Sequence, residues 1–243
     1  MKRFAFFTLI FFVGLLLSSV FSAQDKKTVH WAQVDGVINP AVAEYLVKAV
    51  DSAAEDKAEA LVIEMDTPGG LDPSMRTIVK RILSAEIPVI VYVHPTGARA
   101  ASAGLFIIYA AHVAAMSPGT NLGAAHPVSV GEKMDEVMSA KATNDAAAYI
   151  KSIAAKRGRN AQWAEDAVRK SVSITSDEAV KLGVIDLVVK DRAELLENRA
   201  EQARELVRAV RVRWSWLLVN LDTDIAGAEF ELSGYERPEA HAA

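Results

Sequence analysis

The first 23 residues stand apart from the rest by their pattern. Met1-Lys2-Arg3 is a short basic start. Residues 4–17 are apolar except for Thr8 and Gly14, and Ser18, Ser19, Val20, Phe21, Ser22 and Ala23 follow. That order is the layout of a secretory signal peptide. Val20 and Ser22 fit the small-residue positions of a cleavage site, with the cut after Ser22, whereas Phe21 is bulky for that role. Residues 4–23 are also about long enough to cross a bilayer. Residues 1–22 are therefore assigned as a signal peptide or, if uncleaved, as an N-terminal membrane anchor. The short apolar core and the small residues after it favour cleavage. The chain is expected outside the cytoplasm, in the periplasm or its equivalent.

After the leader, apolar runs alternate with helical spacing. Residues 28–38 read as a strand. Asn39-Pro40 opens a helix over 40–53, with Val42, Tyr45, Leu46, Val47 and Val50 on helical spacing. Residues 60–65 form an apolar run broken by one Glu, which suits a buried strand. Residues 72–84 read as a helix carrying Met75, Ile78, Val79, Ile82 and Leu83, and 88–93 as another buried strand. Strand, helix, strand, helix, strand predicts an α/β domain with crossover helices and a mainly parallel sheet.

Residues 94–99 read as a loop, the Ala-rich 100–111 as a central buried helix, and 113–116 as a strand. Residues 117–131 read as a long loop. Helices are predicted over 134–157 and 161–170. A short helix follows at 175–181, with Ser176 as its N-cap. Gly183 ends it, and 184–189 is a strand. One domain thus spans 28–191. Residues 192–243 are a charged helix, to about Arg213, and a tail whose apolar patch at 214–220 is too short for a second span.

Composition narrows the function. Hydrophobic residues are 51% of the 243 and charged residues 24%, enough apolar material for one core with extensions. The net charge of −4 offers no basic stripe, so no nucleic-acid partner is expected. The chain has no cysteine, which removes disulfides, thiolate catalysis and cysteine metal sites. No cofactor or metal is expected.

Candidate chemistry begins at Asp66-Thr67-Pro68-Gly69-Gly70, at the C-terminal end of a predicted buried strand. That edge is where ligands bind in open α/β sheets. Paired glycines let backbone N–H groups turn outward and a substrate come close, although a Gly-Gly turn alone is common. Next, Ser102 sits among small residues in Gly97–Gly104, at a predicted loop-to-helix junction. A nucleophile gains there from the helix N-terminus and from the next residue's N–H, although a packed or capping Ser reads the same way. A nucleophilic Ser needs a base. Lys141 and His126 are the candidates. A lysine serves only where burial lowers its pKa from about 10.4. Ala140, Ala142 and Ala146–Ala148 favour burial of Lys141, and Asp145 opposes it.

Five segments together resemble the NfeD family of membrane-associated serine proteases, a branch of the ClpP/crotonase superfamily. They are Asp66–Gly70, Ala100-Ala101-Ser102-Ala103-Gly104, Met116–Pro127, Lys141–Asp145 and Ser173–Asp186, and the likeness covers 29–191. It implies a ClpP/crotonase-like fold and a Ser–Lys dyad, with Ser102 as nucleophile and Lys141 as general base. It places Gly69, Gly70 and the N–H of Ala103 in the oxyanion-hole region. His126 is the alternative base, at the distance from Ser102 where ClpP places its histidine. Ser171 stands where ClpP's orienting acid is expected, and a Ser–His pair without that acid is weaker, so Lys141 is preferred. The family resemblance also implies a stomatin-like membrane protein as partner, and self-association at least to a dimer. Longer members carry C-terminal membrane spans and a small β-barrel, and neither pattern occurs in this sequence.

The expected function is an exported serine endopeptidase that cleaves membrane-associated protein substrates through an acyl-enzyme. Its substrate would be an extended, apolar segment paired beside the active-site strand. A crotonase-type acyl-CoA enzyme is the first alternative, and export argues against it. A non-catalytic ClpP-fold scaffold for a membrane partner is the second, and the Ser102/Lys141 pair argues against that.

Overall fold

The structure, a computed structural model, describes residues 28–128, 135–196 and 232–234. The leader at 1–22, most of the expected 192–213 helix and the 214–220 patch lie outside the described residues. Six parallel strands form the main sheet: β1 (Val29–Asp35), β2 (Ala60–Asp66), β3 (Val89–Val93), β5 (Val113–Met116), β8 (Leu187–Val188) and β9 (Leu232–Gly234). Their order is β8-β5-β3-β2-β1-β9. β3 is buried at every position and β2 at all but Asp66, so both faces are covered and the strands read as continuous apolar runs. One face carries the large core and the other a smaller cluster around Tyr92, Val62 and Leu195.

The crossover helices form for visible reasons. In α1 (Pro40–Glu55), the Asn39 side chain accepts from the Val42 N–H at 2.9 Å and Pro40 fills the first position, where no N–H is needed. Ala43, Leu46, Val50 and Ala53 form its buried stripe. α2 (Asp72–Leu83) buries Met75, Ile78, Val79 and Ile82 at the same spacing.

The structure departs from the sequence expectation around the junctions of the central segment. Arg99, expected in the loop, and Ala100 and Ala101, expected in the helix, form β4 (Arg99–Ala101), and only Ala103–Ala110 is helix, α3. Alanine favours helix, yet here the backbone has better partners on both sides. Thr67 N–H donates to Arg99 O at 2.8 Å and Ala101 N–H to Thr67 O at 3.1 Å, while β6 (Asn121–Gly123) pairs along the other edge. β6 lies inside the expected loop and also pairs antiparallel with β7 (Ser173–Thr175). Strands of three residues are too short to show a period of two. α4 (Glu136–Arg157) and α5 (Ala161–Arg169) follow the expectation. In α6 (Ser176–Lys181) the cap is Thr175 rather than Ser176, because Thr175 and Glu178 form a reciprocal capping box. The 184–189 strand shrinks to β8, since the Val184 N–H is still bonded to Ala179 of α6.

All eight residues of α3 are buried. Its last carbonyls, which a helix leaves unpaired, are taken by two guanidinium groups. Arg157 Nε donates to Ala110 O at 2.7 Å, and Arg159 Nη1 to Tyr109 O and Ala111 O at 3.0 and 2.9 Å. Arg159 also pairs with Asp186. Positive charge at this end suits the helix dipole. It also disfavours protonation of His112, whose Nδ1 accepts from the Val89 N–H at 3.1 Å. Burial first, then Arg157, Arg159 and Lys156, push the His112 pKa down to about 3. The unfolded chain therefore binds a proton that the native state refuses between roughly pH 6.5 and the depressed value. Stability is expected to be full above that window and to fall as pH drops through it, by on the order of 4 kcal/mol. His112→Asn keeps an acceptor and should remove most of this loss in urea melts across pH. Parallel losses in wild type and variant would contradict the assignment.

Candidate active site

The Asp66–Gly70 turn and the Ser102 segment are stitched together by backbone. Besides the two Thr67 bonds to β4, Asp66 Oδ1 accepts from the Arg99 N–H at 2.9 Å. The Thr67 hydroxyl, fully buried, accepts from the Gly69 N–H at 3.1 Å and donates to Gly69 O at 3.2 Å. Ile38 ties down the far side of the turn: its N–H donates to Gly69 O and its O accepts from the Leu71 N–H, at 2.8 and 2.9 Å. Asp66 and Thr67 thus act in placing the site. They belong to the quoted motif, but sequence spacing alone gave them no role.

Ser102 follows β4 and caps α3 with φ 51 and ψ −114, a conformation L-residues rarely adopt. Such a backbone costs of order 1–3 kcal/mol and persists where the surroundings impose it. Here the Ser102 N–H donates to Gly123 O at 3.1 Å, and Ser102 O accepts from the Leu105 N–H at 3.0 Å. This strand–sharp turn–helix arrangement lifts a nucleophile out of the sheet edge. The side chain is half-buried and its hydroxyl makes no hydrogen bond among the described residues.

Gly69 lies directly against it. A Cβ on Gly69 would stand 2.6 Å from Ser102 Cβ and 3.1 Å from its Oγ, and Gly69 has φ +119. A Cβ on Gly70 would overlap the Ile38 carbonyl. The N–H groups of Gly70 and Ala103 have no acceptor among the described residues, whereas the Gly69 N–H is committed to Thr67. Two donors are therefore free among the described residues, one in the turn whose Gly69 packs on Ser102 and one on the first residue of α3, next to Ser102 in the chain. Gly69→Ala is expected to keep the fold and displace Ser102. A misplacement of about 1 Å costs on the order of 100-fold in rate, so the loss should show in kcat/KM. A Gly69→Ala variant with wild-type kcat/KM would contradict this packing.

The two candidate bases stand differently. Lys141 is exposed in the second turn of α4 and makes no hydrogen bond or ion pair among the described residues. The burial expected from its alanine neighbours is not present at Lys141 in the free chain. Ala146 and Ala147 are the buried ones, one turn further on. His126 is half-buried after β6, with Nδ1 at 3.0 Å from Val168 O. A carbonyl only accepts, so this contact puts a proton on Nδ1. No hydrogen bond joins Ser102 Oγ to either side chain. Among the described residues there is no cluster of His, Asp or Glu that would hold a metal ion.

The sequence profile of the NfeD1b N-terminal domain matches residues 28–209. The membrane-bound protease PH1510 of Pyrococcus horikoshii is 44% identical over 175 residues, which are 71% of this chain and 40% of that protein. The membrane protein NfeD1b of Bacillus subtilis is 29% identical over 64% of this chain and 34% of its own length. The chain thus matches less than half the length of these curated relatives. Two solved structures of 1510-N, described as a membrane-bound stomatin-specific protease, superpose with TM-scores of 0.66 and 0.67, at 43% and 42% identity. Each alignment covers 71% of this chain, and 84% and 80% of the respective 1510-N chains. One is a serine-to-alanine mutant and the other a lysine-to-alanine mutant in complex with a substrate peptide. A ClpP1 mutant from Listeria monocytogenes, 20% identical over 68% of this chain and 94% of its own, superposes with a TM-score of 0.55, which shows the ClpP-like fold alone. By this fold and the profile over 28–209, the chain belongs to the NfeD1b N-terminal domain family.

Proposed function

We propose that this chain is a serine endopeptidase in which Ser102 is the nucleophile and Lys141 the general base. The observation that carries the reading is Ser102 itself, held at a strained turn against Gly69, with the N–H groups of Gly70 and Ala103 unpaired among the described residues. Lys141 takes the proton from Ser102 Oγ as the oxygen attacks a peptide carbonyl carbon. The two N–H groups receive the oxyanion, and the N-terminus of α3 favours its charge. As the C–N bond breaks, the Lys141 ammonium gives its proton to the leaving amine. Lys141 then activates water against the acyl ester, which frees Ser102. Gly69 serves by lacking a side chain. His126 keeps a structural role through its bond to Val168.

The proposed substrate is an extended apolar segment of a membrane-associated protein. Leu71, which follows Gly70, and Val128, which follows the His126 loop, are both exposed and suit such a segment. The relative's description as stomatin-specific supports a stomatin-like partner, its membrane-bound character supports action at a membrane surface, and the signal-peptide layout of residues 1–22 supports the extracytoplasmic side. Among the described residues no helix is long and apolar enough to cross a membrane. Self-association at least to a dimer belongs to the same reading. The test is incubation of the purified chain with extended apolar peptides, followed by mass analysis of the products. Cleavage within the apolar run that needs Ser102 is expected. Intact peptide across pH 6–9 with folded enzyme would sink the reading.

A further inference from the structure

Arg76, on α2, reaches across to α4. Its Nε donates to Asp72 Oδ2 at 2.8 Å and its Nη2 to Asp145 Oδ2. Its guanidinium carbon lies 4.3 Å from the centroid of the Tyr149 ring, which in turn stacks on Phe106 of α3 with centroids 6.0 Å apart. One side chain thereby links the helix after the glycine turn, the helix bearing Lys141 and the helix that starts at Ser102.

Asp145 stands four residues after Lys141, so the two share one face of α4. An unengaged carboxylate at that spacing pairs with an ammonium and holds it protonated. Here the Asp145 carboxylate is bound to Arg76, and Lys141 has no ion pair among the described residues. Among the described residues the other charges near this face are those of Asp135, Glu136, Asp72 and Arg169. Asp135 caps α4 by accepting from the Met138 N–H at 2.7 Å, and Glu136 lies in the first turn. Asp72 on α2 is held by Arg76. On α5, Arg169 is engaged with Glu165 and Asn144. α3 brings no charged side chain to α4.

We propose that Arg76 is a positioning residue for the Ser–Lys chemistry: it sequesters Asp145 from Lys141 and so leaves the base free to turn to Ser102 and give up its proton. The proposal rests on the reading of Lys141 as the base. It predicts an order of pH midpoints, because removing Arg76 releases a carboxylate and removes a cation together. An exposed pair at this spacing is worth a few tenths of a pH unit.

The experiment is the rate of covalent labelling by a fluorophosphonate against pH, with the full chain. Arg76→Met keeps an apolar stem over Tyr149. It is expected to raise the midpoint by roughly 0.2–0.4 unit, about 1.5- to 2.5-fold slower labelling on the rising limb. Arg76→Lys should stay near wild type, and Asp145→Asn should not raise the midpoint. The double variant Arg76→Met/Asp145→Asn should return to wild type, a rescue that a merely structural role of Arg76 would not give. Slower labelling of Arg76→Met at every pH, with no shift and no rescue, overturns the proposal. If Lys141→Ala is silent while Arg76→Met keeps the wild-type midpoint, the proposal fails and the base assignment stands. If Lys141→Ala labels at the wild-type rate, the base assignment fails and the proposal with it.

Discussion

Ser102→Ala is expected to lower kcat/KM for peptide cleavage by about 10⁴- to 10⁶-fold, the range seen when a serine nucleophile is removed. The variant should melt within a few degrees of wild type. Two facts support that separation. The Ser102 hydroxyl makes no hydrogen bond among the described residues, so its loss leaves no buried partner unsatisfied. Alanine also bears the same backbone penalty at φ 51, since both residues carry a Cβ. Ser117 provides the contrast. It is fully buried, and its Oγ lies 2.6 Å from Tyr92 Oη and 2.9 Å from His94 Nδ1. Ser117→Ala should therefore cost stability by about 1 kcal/mol, since His94 Nδ1 loses its partner while Tyr92 Oη keeps its bond to Val189 O at 3.0 Å. Full activity in Ser102→Ala would reduce Ser102 to a packing residue.

The second large effect concerns the base. Lys141→Ala is expected to lose about as much kcat/KM as Ser102→Ala, because members of one catalytic unit act together and their losses do not add. Lys141→Arg should not rescue it, since a guanidinium keeps its proton near neutral pH. His126→Ala should cost less than about 10-fold, through the loop that its bond to Val168 O holds. The proposed base acts only when neutral, so wild-type activity should rise with pH along a single ionisation. Lys141 is exposed in the free chain. Bound substrate, or a second copy over the start of α4, must then supply the cover that favours the neutral amine. Wild-type activity in Lys141→Ala beside a dead His126→Ala would move the chain to Ser–His chemistry.

The parallel sheet was legible because its strands are buried on both faces. Runs such as Leu61–Ile63 and Val89–Val93 admit little else between two amphipathic helices. The position of Ser102 was legible from small residues at a junction. The type of junction was not. Propensity alone extends the helix back to Ala100, whereas Thr67 and Asn121–Gly123 draw Arg99–Ala101 into a strand. That pairing joins residues far apart in sequence, and periodicity reads only neighbours. For the same reason the use of the Gly69 N–H by Thr67, and the capping of α3 by Arg157 and Arg159, leave no local pattern. At Lys141 the alanine-rich surroundings pointed to burial. In α4 those alanines divide between two faces, and Ala146 and Ala147 face the core while Lys141 faces out.

The central claim is a Ser102 nucleophile activated by Lys141. Its most direct test is mass mapping of the fluorophosphonate adduct on wild type, Lys141→Ala and His126→Ala at one pH on the rising limb. The account predicts an adduct on Ser102 in wild type and in His126→Ala, and none in Lys141→Ala over the same time. An adduct that forms on Ser102 in Lys141→Ala at the wild-type rate, or a wild-type protein that takes no adduct at Ser102, would contradict it.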